Sequence, residues 1–327
     1  MREVSIIGVG ITKFGELWDK SLRQLGLETG LAAIKDAGIT SKDIDALYIG
    51  NMAAGSTLQQ EHVSALMADY CGLAAQNVPA TRVEAASASG GLAIRQAYMA
   101  IAGGFIDIAV VGGAEKMTDV SDSESSYTVS MGSDEQWESK AGATFASLHA
   151  MMAQSHMHEY GTTREEMSAV SEKNHYHASM NPMAQFPFAI SAEAVSNSGM
   201  VSSPLRMLDC APNSDGAAAV VLCATEKAKK YKKKAVKIIG SGQASDTLSL
   251  HHRKKLNQMP AIKIAAKRAF KSCGKKPNDL DLIEIHDNFT ISEIIALEEI
   301  GIFKRGKAAS RILKGDTKLG GKIPINT

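Results

Sequence analysis

An α/β fold built twice is what this sequence predicts, and three observations carry it: an internal repeat, apolar runs of strand length, and glycines at matching joints. Val4-Ser-Ile-Ile-Gly-Val-Gly10 returns as Val236-Lys-Ile-Ile-Gly-Ser-Gly242, 232 positions later. Gly38-Ile-Thr-Ser-Lys-Asp-Ile-Asp-Ala-Leu-Tyr-Ile-Gly50 returns as Gly274-Lys-Lys-Pro-Asn-Asp-Leu-Asp-Leu-Ile-Glu-Ile-His286, at an offset of 236. In both copies an Ala-rich helical stretch, residues 25–37 and 262–272, runs up to the shared glycine. That glycine fits a helix C-cap, and the apolar run after the aspartates fits a buried strand. Each copy therefore reads as a βαβ unit.

Past the second strand, the first copy continues. Residues 81–86 read as a third strand, residues 87–103 as a turn and helix, 106–112 as a fourth strand and 217–223 as a fifth. Between the last two lies an insertion, about 117–208, rich in Ser, Met and His, with no partner in the second half. The second copy reaches its third strand near Lys322-Ile-Pro-Ile-Asn-Thr327. The expectation is a second half incomplete at its C-terminus, lacking the counterparts of the Ser87 turn, its helix and two strands. The run Lys227-Ala-Lys-Lys-Tyr-Lys-Lys-Lys234 marks the seam, dividing the chain into halves 1–231 and 232–327.

Composition narrows the class. The 327 residues are 44% hydrophobic and 22% charged, which suits a globular protein and excludes a disordered one. The N-terminus reads as a strand and glycine turn rather than a signal peptide, and no apolar run approaches a membrane span. Cys71, Cys210, Cys223 and Cys273 lie far apart and form no C-x-x-C pair, so reduced thiols and a cytoplasmic location are expected. Residues 1–231 hold 16 Lys+Arg against 26 Asp+Glu, and residues 232–327 hold 20 against 9. A basic half suits a phosphate-bearing ligand, although lysines on solvated helix faces account for it more simply, and without interleaved aromatics it does not suit nucleic acid.

Two places carry candidate chemistry. Ser87 and Ser89 stand where a small-residue turn enters a helix, whose free N–H groups favour a developing anion. An ordinary serine N-cap gives the same pattern. No G-x-S-x-G is present, which disfavours a hydrolase elbow. His286 and Asp287 end the second copy's βαβ strand, where open α/β sheets place ligand-binding groups. Histidine there suits a general base or oxyanion donor, and a structural role equally. His156 and His158, like His175 and His177, are two residues apart and point to different helix faces, so no shared metal is expected. Met151, Met152 and Met157 suit adaptable packing or an apolar channel wall.

With these pieces in place, the chain resembles the thiolases. The likeness rests on Val83-Glu-Ala-Ala-Ser-Ala-Ser-Gly-Gly-Leu-Ala93 and His286-Asp-Asn-Phe289. It extends through residues 8–15, Tyr48-Ile-Gly-Asn51, Val111-Gly-Gly-Ala-Glu-Lys-Met-Thr-Asp119, residues 142–160 and 181–186, Ser214-Asp-Gly216 and Gln243-Ala-Ser-Asp-Thr247. The closest likeness is to archaeal-type acetoacetyl-CoA thiolases, acetyl-CoA C-acetyltransferases of the sterol-carrier-protein-type branch. The resemblance implies a duplicated thiolase fold with layered αβαβα architecture. It also implies reversible Claisen condensation of acetyl-CoA in a mevalonate-type route, with coenzyme A thioesters as substrates and no cofactor or metal. A homodimer or dimer of dimers is implied, with HMG-CoA synthase and a zinc-binding bridging protein as partners.

Carrying the family's roles over residue by residue exposes three departures. Ser87 holds the position of the acylated cysteine. Asn288 stands where this branch has an acid–base cysteine. The G-H motif, whose histidine activates the cysteine, is not found in the sequence. His286 keeps the role of holding the thioester oxygen, while Phe289 and Ser245 are candidate CoA contacts under the 117–208 insertion. A cysteine thiol, with a pKa of about 8.5, reaches the thiolate far more readily than a serine hydroxyl loses its proton. Catalysis by this chain is therefore expected to be impaired. The alternative is a degenerate paralogue that binds CoA thioesters or serves in assembly.

Overall fold

Glycine sets how closely strand and helix approach in both copies of the repeat. A Cβ on Gly8 would stand 2.3 Å from the Ala33 carbonyl oxygen, and one on Gly10 2.2 Å from that of Thr29. In the second copy, Gly240 would meet the Ala269 oxygen at 2.7 Å and Gly242 that of Ala265 at 1.9 Å. Each contact recurs at the offsets read from the sequence, 232 for the glycine and 236 for its helical partner. Duplication is thus present as packing and not only as similar words.

The computed structural model describes residues 1–231 and 234–327, so Lys232 and Lys233 of the expected seam lie outside the described residues. In chain order the elements are β1 (Val4–Ile11), α1 (Leu22–Ala37), β2 (Ala46–Gly50), α2 (Ala54–Thr57), α3 (Val63–Tyr70), β3 (Ala80–Val83), α4 (Ser89–Ala102) and β4 (Ile108–Glu115). Next come α5 (Asp122–Ser130), α6 (Phe145–Tyr160), α7 (Arg164–Ala178), α8 (Ala192–Asn197), β5 (Met200–Ser202), β6 (Leu205–Arg206) and β7 (Gly216–Ala224). Last are α9 (Thr225–Ala228), β8 (Val236–Ile238), α10 (Pro260–Cys273), α11 (Thr290–Ile300) and α12 (Ala308–Leu313).

Two compact units result: Met1–Thr128 with Asn213–Ile239, and Val129–Pro212 with Gly240–Thr327. The first holds a six-stranded sheet ordered β3-β2-β4-β7-β1-β8. β2 is parallel to β3 and β4, while β7 runs antiparallel to β4 and β1, and β8 antiparallel to β1. Alternate residues serve opposite faces. Val110 and Val221 join Leu25, Ala33 and Met67 of α1 and α3, while Val111 and Leu222 join Ala93, Ala97 and Ile101 of α4. Ser21 starts α1 through a capping box, and Gly38 ends it in the left-handed conformation at φ 68°.

The second unit is helical around α11, which is buried from Thr290 to Glu299. Leu148 and Met152 of α6, Met167 and Val170 of α7, and Ile312 of α12 share a core with Ile291, Ile294 and Leu297. Acidic side chains in α11 are each met by a partner. Glu298 receives His156 and the backbone N–H groups of Lys307 and Ala308, and Glu299 receives Arg305. Most of the insertion therefore packs with the second copy, so the compact units divide the chain differently from halves 1–231 and 232–327.

Of the second copy's expected sheet, only β8 forms as a strand among the described residues, and it pairs with β1 in the first unit. The copy's second and third strands meet only in a parallel bridge between Ile283 and Ile325. Ile283 is the repeat counterpart of Leu47, which pairs in parallel with Ala80. Proline has no N–H to extend the ladder at Pro324, and Asn326 turns away at φ 53°, its side-chain oxygen accepting from Ile285 N. Without a sheet beneath it, α10 has no buried residue, whereas α1 buries Leu22, Leu25, Thr29, Gly30, Ala33 and Ala37.

Candidate functional site

At the end of β3 the chain makes a strained turn into α4. Ala86 lies in the left-handed region at φ 48°, a conformation that costs a residue with a Cβ about 1–2 kcal/mol. Three hydrogen bonds hold it. Ala86 N donates to Glu84 Oε1 at 2.5 Å, Ala85 N donates to Ser89 Oγ at 2.9 Å, and Ser89 Oγ donates to Ala86 O at 2.6 Å. Ser89 is buried and works as the tie inside the turn, while Ser87 is exposed at its tip. Neither the 3₁₀ turn Ala86–Ala88 nor α4 has a side-chain cap, so Ser87 is not an N-cap serine. Among the described residues nothing hydrogen-bonds its hydroxyl.

The floor beneath the turn is made by glycine and a buried polar group. Gly50, at the end of β2, leaves room for the backbone of Ser89 and Gly90. One residue on, Asn51 donates to Ala114 O at 2.9 Å and to Glu115 Oε1 at 2.5 Å. Glu115 also accepts from Met52 N at 2.7 Å and Ala53 N at 3.2 Å. Burial pushes its carboxyl pKa up, and those N–H groups act against the shift. Arg82 pairs with Glu61 and donates to Asn51 O and Met52 O, which ties the loop after β2 to β3. Nearby, Asp215 is a buried hub for Lys116 at 2.7 Å, Thr118 Oγ1 at 2.6 Å and the N–H groups of Leu17, Met117 and Thr118.

In the second unit, His286, Asp287 and Asn288 stand between the Ile283 bridge and α11. His286 keeps an exposed edge, yet the protein packed around it lowers its pKa, with Asp287 pulling the other way. Asn288 is committed locally: its Oδ1 accepts from Ser292 Oγ at 2.9 Å and its carbonyl from Ala211 N at 2.9 Å. Phe289 is buried and stacked on His149, ring centroids 4.3 Å apart. Ser245 is exposed in the loop after β8. The structure thus brings His286, Asn288 and Phe289 onto one short segment of the second unit, while Ser87 belongs to the first.

Several residues escaped the sequence reading. Asp209 receives a bidentate Arg164, Arg206 N and the Thr290 hydroxyl, which fixes the start of α11. Fully buried Lys173 pairs with Glu293 at 2.9 Å, and Asn174 donates to both Asp287 and Glu293. A cleft of about 180 Å³ beside them is lined by polar and apolar residues together, among them Ser171, Asn174, Asp209, Asp287, Val170 and Leu208. A larger apolar cleft of about 430 Å³ is lined by Trp137, Leu148, Met151, Leu250 and Leu256. The one member of the polar cluster singled out in the sequence was Asp287.

The histidines at 175 and 177 are structural. Buried His177 faces the carbonyl of Asn326 at 2.8 Å and accepts from Leu319 N at 3.1 Å, and His175 stacks near Phe186 and Phe188. Among the described residues no group of three or more His, Cys, Asp or Glu is placed to hold a metal ion. No helix among them is long and apolar enough to cross a membrane.

The turn, its glycine floor and the strand end carrying His286 sit within sequence that matches two family models. Residues 4–226 match the thiolase N-terminal domain, and residues 242–327 the thiolase C-terminal domain-like model. The chain belongs to the thiolase family. This thiolase is 50% identical over 326 residues to an acetyl-CoA acetyltransferase of Methanothermobacter thermautotrophicus, covering all of the chain and 84% of that relative. It is also 50% identical over 310 residues to one from Methanocaldococcus jannaschii, covering 94% of the chain and 78% of the relative. Among solved structures, the Ltp2-ChsH2(DUF35) aldolase superposes with a TM-score of 0.86 at 29% identity, over 99% of this chain and 83% of that one. These comparisons lend no support to the expected C-terminal truncation.

Proposed function

We propose that this thiolase binds acetyl-CoA and acetoacetyl-CoA thioesters and that, with Ser87 and Asn288 in place, it turns them over poorly. The observation that carries the reading is the Ser87 turn. A strained, triply tied backbone presents residue 87 at the head of α4, as a nucleophile would be presented, yet the residue is a serine without a hydrogen-bonded base. Acyl transfer to Ser87 would break the thioester C–S bond, form an oxygen ester and require the hydroxyl proton to leave for a base. An oxygen ester is the poorer acyl donor for the condensation that follows. Serine without such a base is a weak nucleophile, and loss of one member of a concerted set costs on the order of 10⁴-fold in rate. The Asn288 side chain, held by Ser292, carries no titratable proton to replace an acid–base cysteine.

His286, held below its ordinary pKa, is neutral at pH 7 and suited to donate an N–H to a thioester oxygen. Ser245 and Phe289 are assigned to the CoA side. In the same reading the protein serves a mevalonate-type route as a homodimer or dimer of dimers, with HMG-CoA synthase and a zinc-binding bridging protein as partners. Light scattering of the protein alone and mixed with that pair tests the assembly.

Calorimetry with acetyl-CoA and a thiolysis assay with acetoacetyl-CoA test the rest together. Saturable binding with turnover at the assay background is expected. Turnover at ordinary thiolase rates would overturn the assignment of impairment, and no binding at millimolar ligand would overturn the thioester reading. Ser87→Cys alone is expected to stay inactive, because Asn288 remains.

A further inference from the structure

Two consecutive residues of α7 grip the segment that carries His286. Lys173 Nζ lies 2.9 Å from Glu293 Oε1 and donates to Ile325 O at 2.9 Å, and so holds the residue bridged to Ile283. Asn174 Nδ2 donates to Asp287 and, at 3.2 Å, to Glu293 Oε2. Lys173 and Glu293 are fully buried. Buried ion pairs are often replaceable by apolar groups with no loss of stability, so stability is a poor account of this one. The bonds of Lys173 and Asn174 end on Glu293 of α11, on Asp287 beside His286 and on Ile325, the bridge partner of Ile283.

We propose that Asn174 is a positioning residue for His286: its amide, shared between Asp287 and Glu293, keeps the Asp287 carboxylate on the α7 side and leaves the imidazole neutral and free to donate. Released from Asn174, Asp287 swings toward its neighbour and favours the imidazolium, which is the wrong form for a neutral N–H donor. Other groups also face this region. Glu284 lies on the same segment, Glu293 on α11, Lys173 on α7, and His149 on α6, whose protonation His286 opposes. Glu293 itself is pushed up to about 7 by burial, with Lys173 opposing and Asp287 reinforcing the shift. The bridge is therefore a place where two carboxyl groups share one amide. The role of His286 as an acyl-oxygen donor rests on the thioester reading above, whereas the bridge does not.

The test is an NMR titration of His286 in isotope-labelled full-length protein, without ligand, in wild type, Asn174→Ala, Asp287→Asn and the double variant. Asn174→Ala is expected to raise the His286 pKa by about one unit, the scale of a nearby carboxylate. In the Asp287→Asn background the same change is expected to leave it within about 0.2 unit, since the moving charge is gone. Equal shifts in both backgrounds, or none in either, would overturn the proposal and leave Asn174 a structural residue. Should Asn174→Ala not fold, Asn174→Leu keeps the volume, removes the donor and is read in the same way. Because no thioester is present, this result and the binding result above fail independently.

Discussion

Replacing Gly50 with alanine is the sharpest test of how the Ser87 turn is held. The added Cβ would lie 2.6 Å from Gly90 N, 2.7 Å from Gly90 Cα and 2.7 Å from the Ser89 carbonyl carbon. Non-bonded carbons settle about 3.5–4.0 Å apart, so the first turn of α4 must retreat by roughly 1 Å. None of the three atoms belongs to a side chain that can rotate away. Overpacking of this kind costs about 1–3 kcal/mol, and a 1 Å misplacement of reacting groups costs up to about 10²-fold in productive binding or rate. Gly113→Ala is the matched control. Its Cβ would meet Gly50 O at 3.7 Å and Gly90 Cα at 3.9 Å, an ordinary contact on the neighbouring strand.

Three readouts follow both variants: thermal unfolding, amide hydrogen exchange at Ala86, Ser87 and Gly90, and acetyl-CoA affinity by calorimetry. Gly50→Ala should melt lower, exchange faster at the turn and bind more weakly, while Gly113→Ala should track the wild type in all three. If Gly50→Ala exchanges and melts like the wild type, the close approach of β2 to α4 does not set the turn. The argument for a presented residue 87 then loses its foundation.

Gly10→Ala and Gly242→Ala should both destabilise by about 1–3 kcal/mol or more, since each Cβ would meet a helix carbonyl oxygen, at 2.2 and 1.9 Å; comparable losses in thermal melts would show that the two copies use one joint. Gly30→Ala should stabilise by about 1 kcal/mol, raising Tm by roughly 2 °C, because it adds helix propensity where the nearest atom is Cys71 Sγ at 3.8 Å beside a cavity of about 30 Å³. His149 gives a pH signature. Burial lowers its pKa from 6.5 to about 4, so between those values the unfolded chain binds a proton that the folded one does not. Stability from this group is full above pH 6.5 and lost as the pH falls toward 4, by about 3 kcal/mol in all. His149→Phe, which keeps an aromatic ring against Phe289, should flatten that part of the wild-type profile in urea melts.

The duplicated plan was legible because close packing leaves a mark on sequence. A strand resting on helix backbone admits only glycine, so Gly8, Gly10, Gly240 and Gly242 recur at fixed offsets, as do Gly38 and Gly274 at the helix ends. The strands of the first sheet were readable for a related reason. With helices on both faces, they appear as near-continuous apolar runs such as Ile108–Glu115. The turn at Ser87 was found from small residues before a helix, but its geometry was not. A left-handed Ala86 has no signature when the residue is alanine, and Ser89 could not be told from Ser87 as the internal tie.

What stayed hidden were partnerships across long separations. Lys173 reads as one more lysine on a helix, because its meaning lies in Glu293, 120 positions away, and in the carbonyl of Ile325. The insertion's destination was equally hidden. The apolar stripes of α6 and α7 announce that something covers them without saying what, and α11 sets three glutamates among its apolar residues without showing what meets them. Only together do they explain one another. α11 carries Glu293, Glu298 and Glu299 into the core, and the insertion brings Lys173 and His156 to meet two of them. An uncompensated buried carboxylate costs several kcal/mol, so the insertion cannot be a passive cover laid over a finished domain. It completes the electrostatics of the helix that begins four residues after His286, and the chemistry assigned to that histidine depends on the insertion as much as on the strand that carries it.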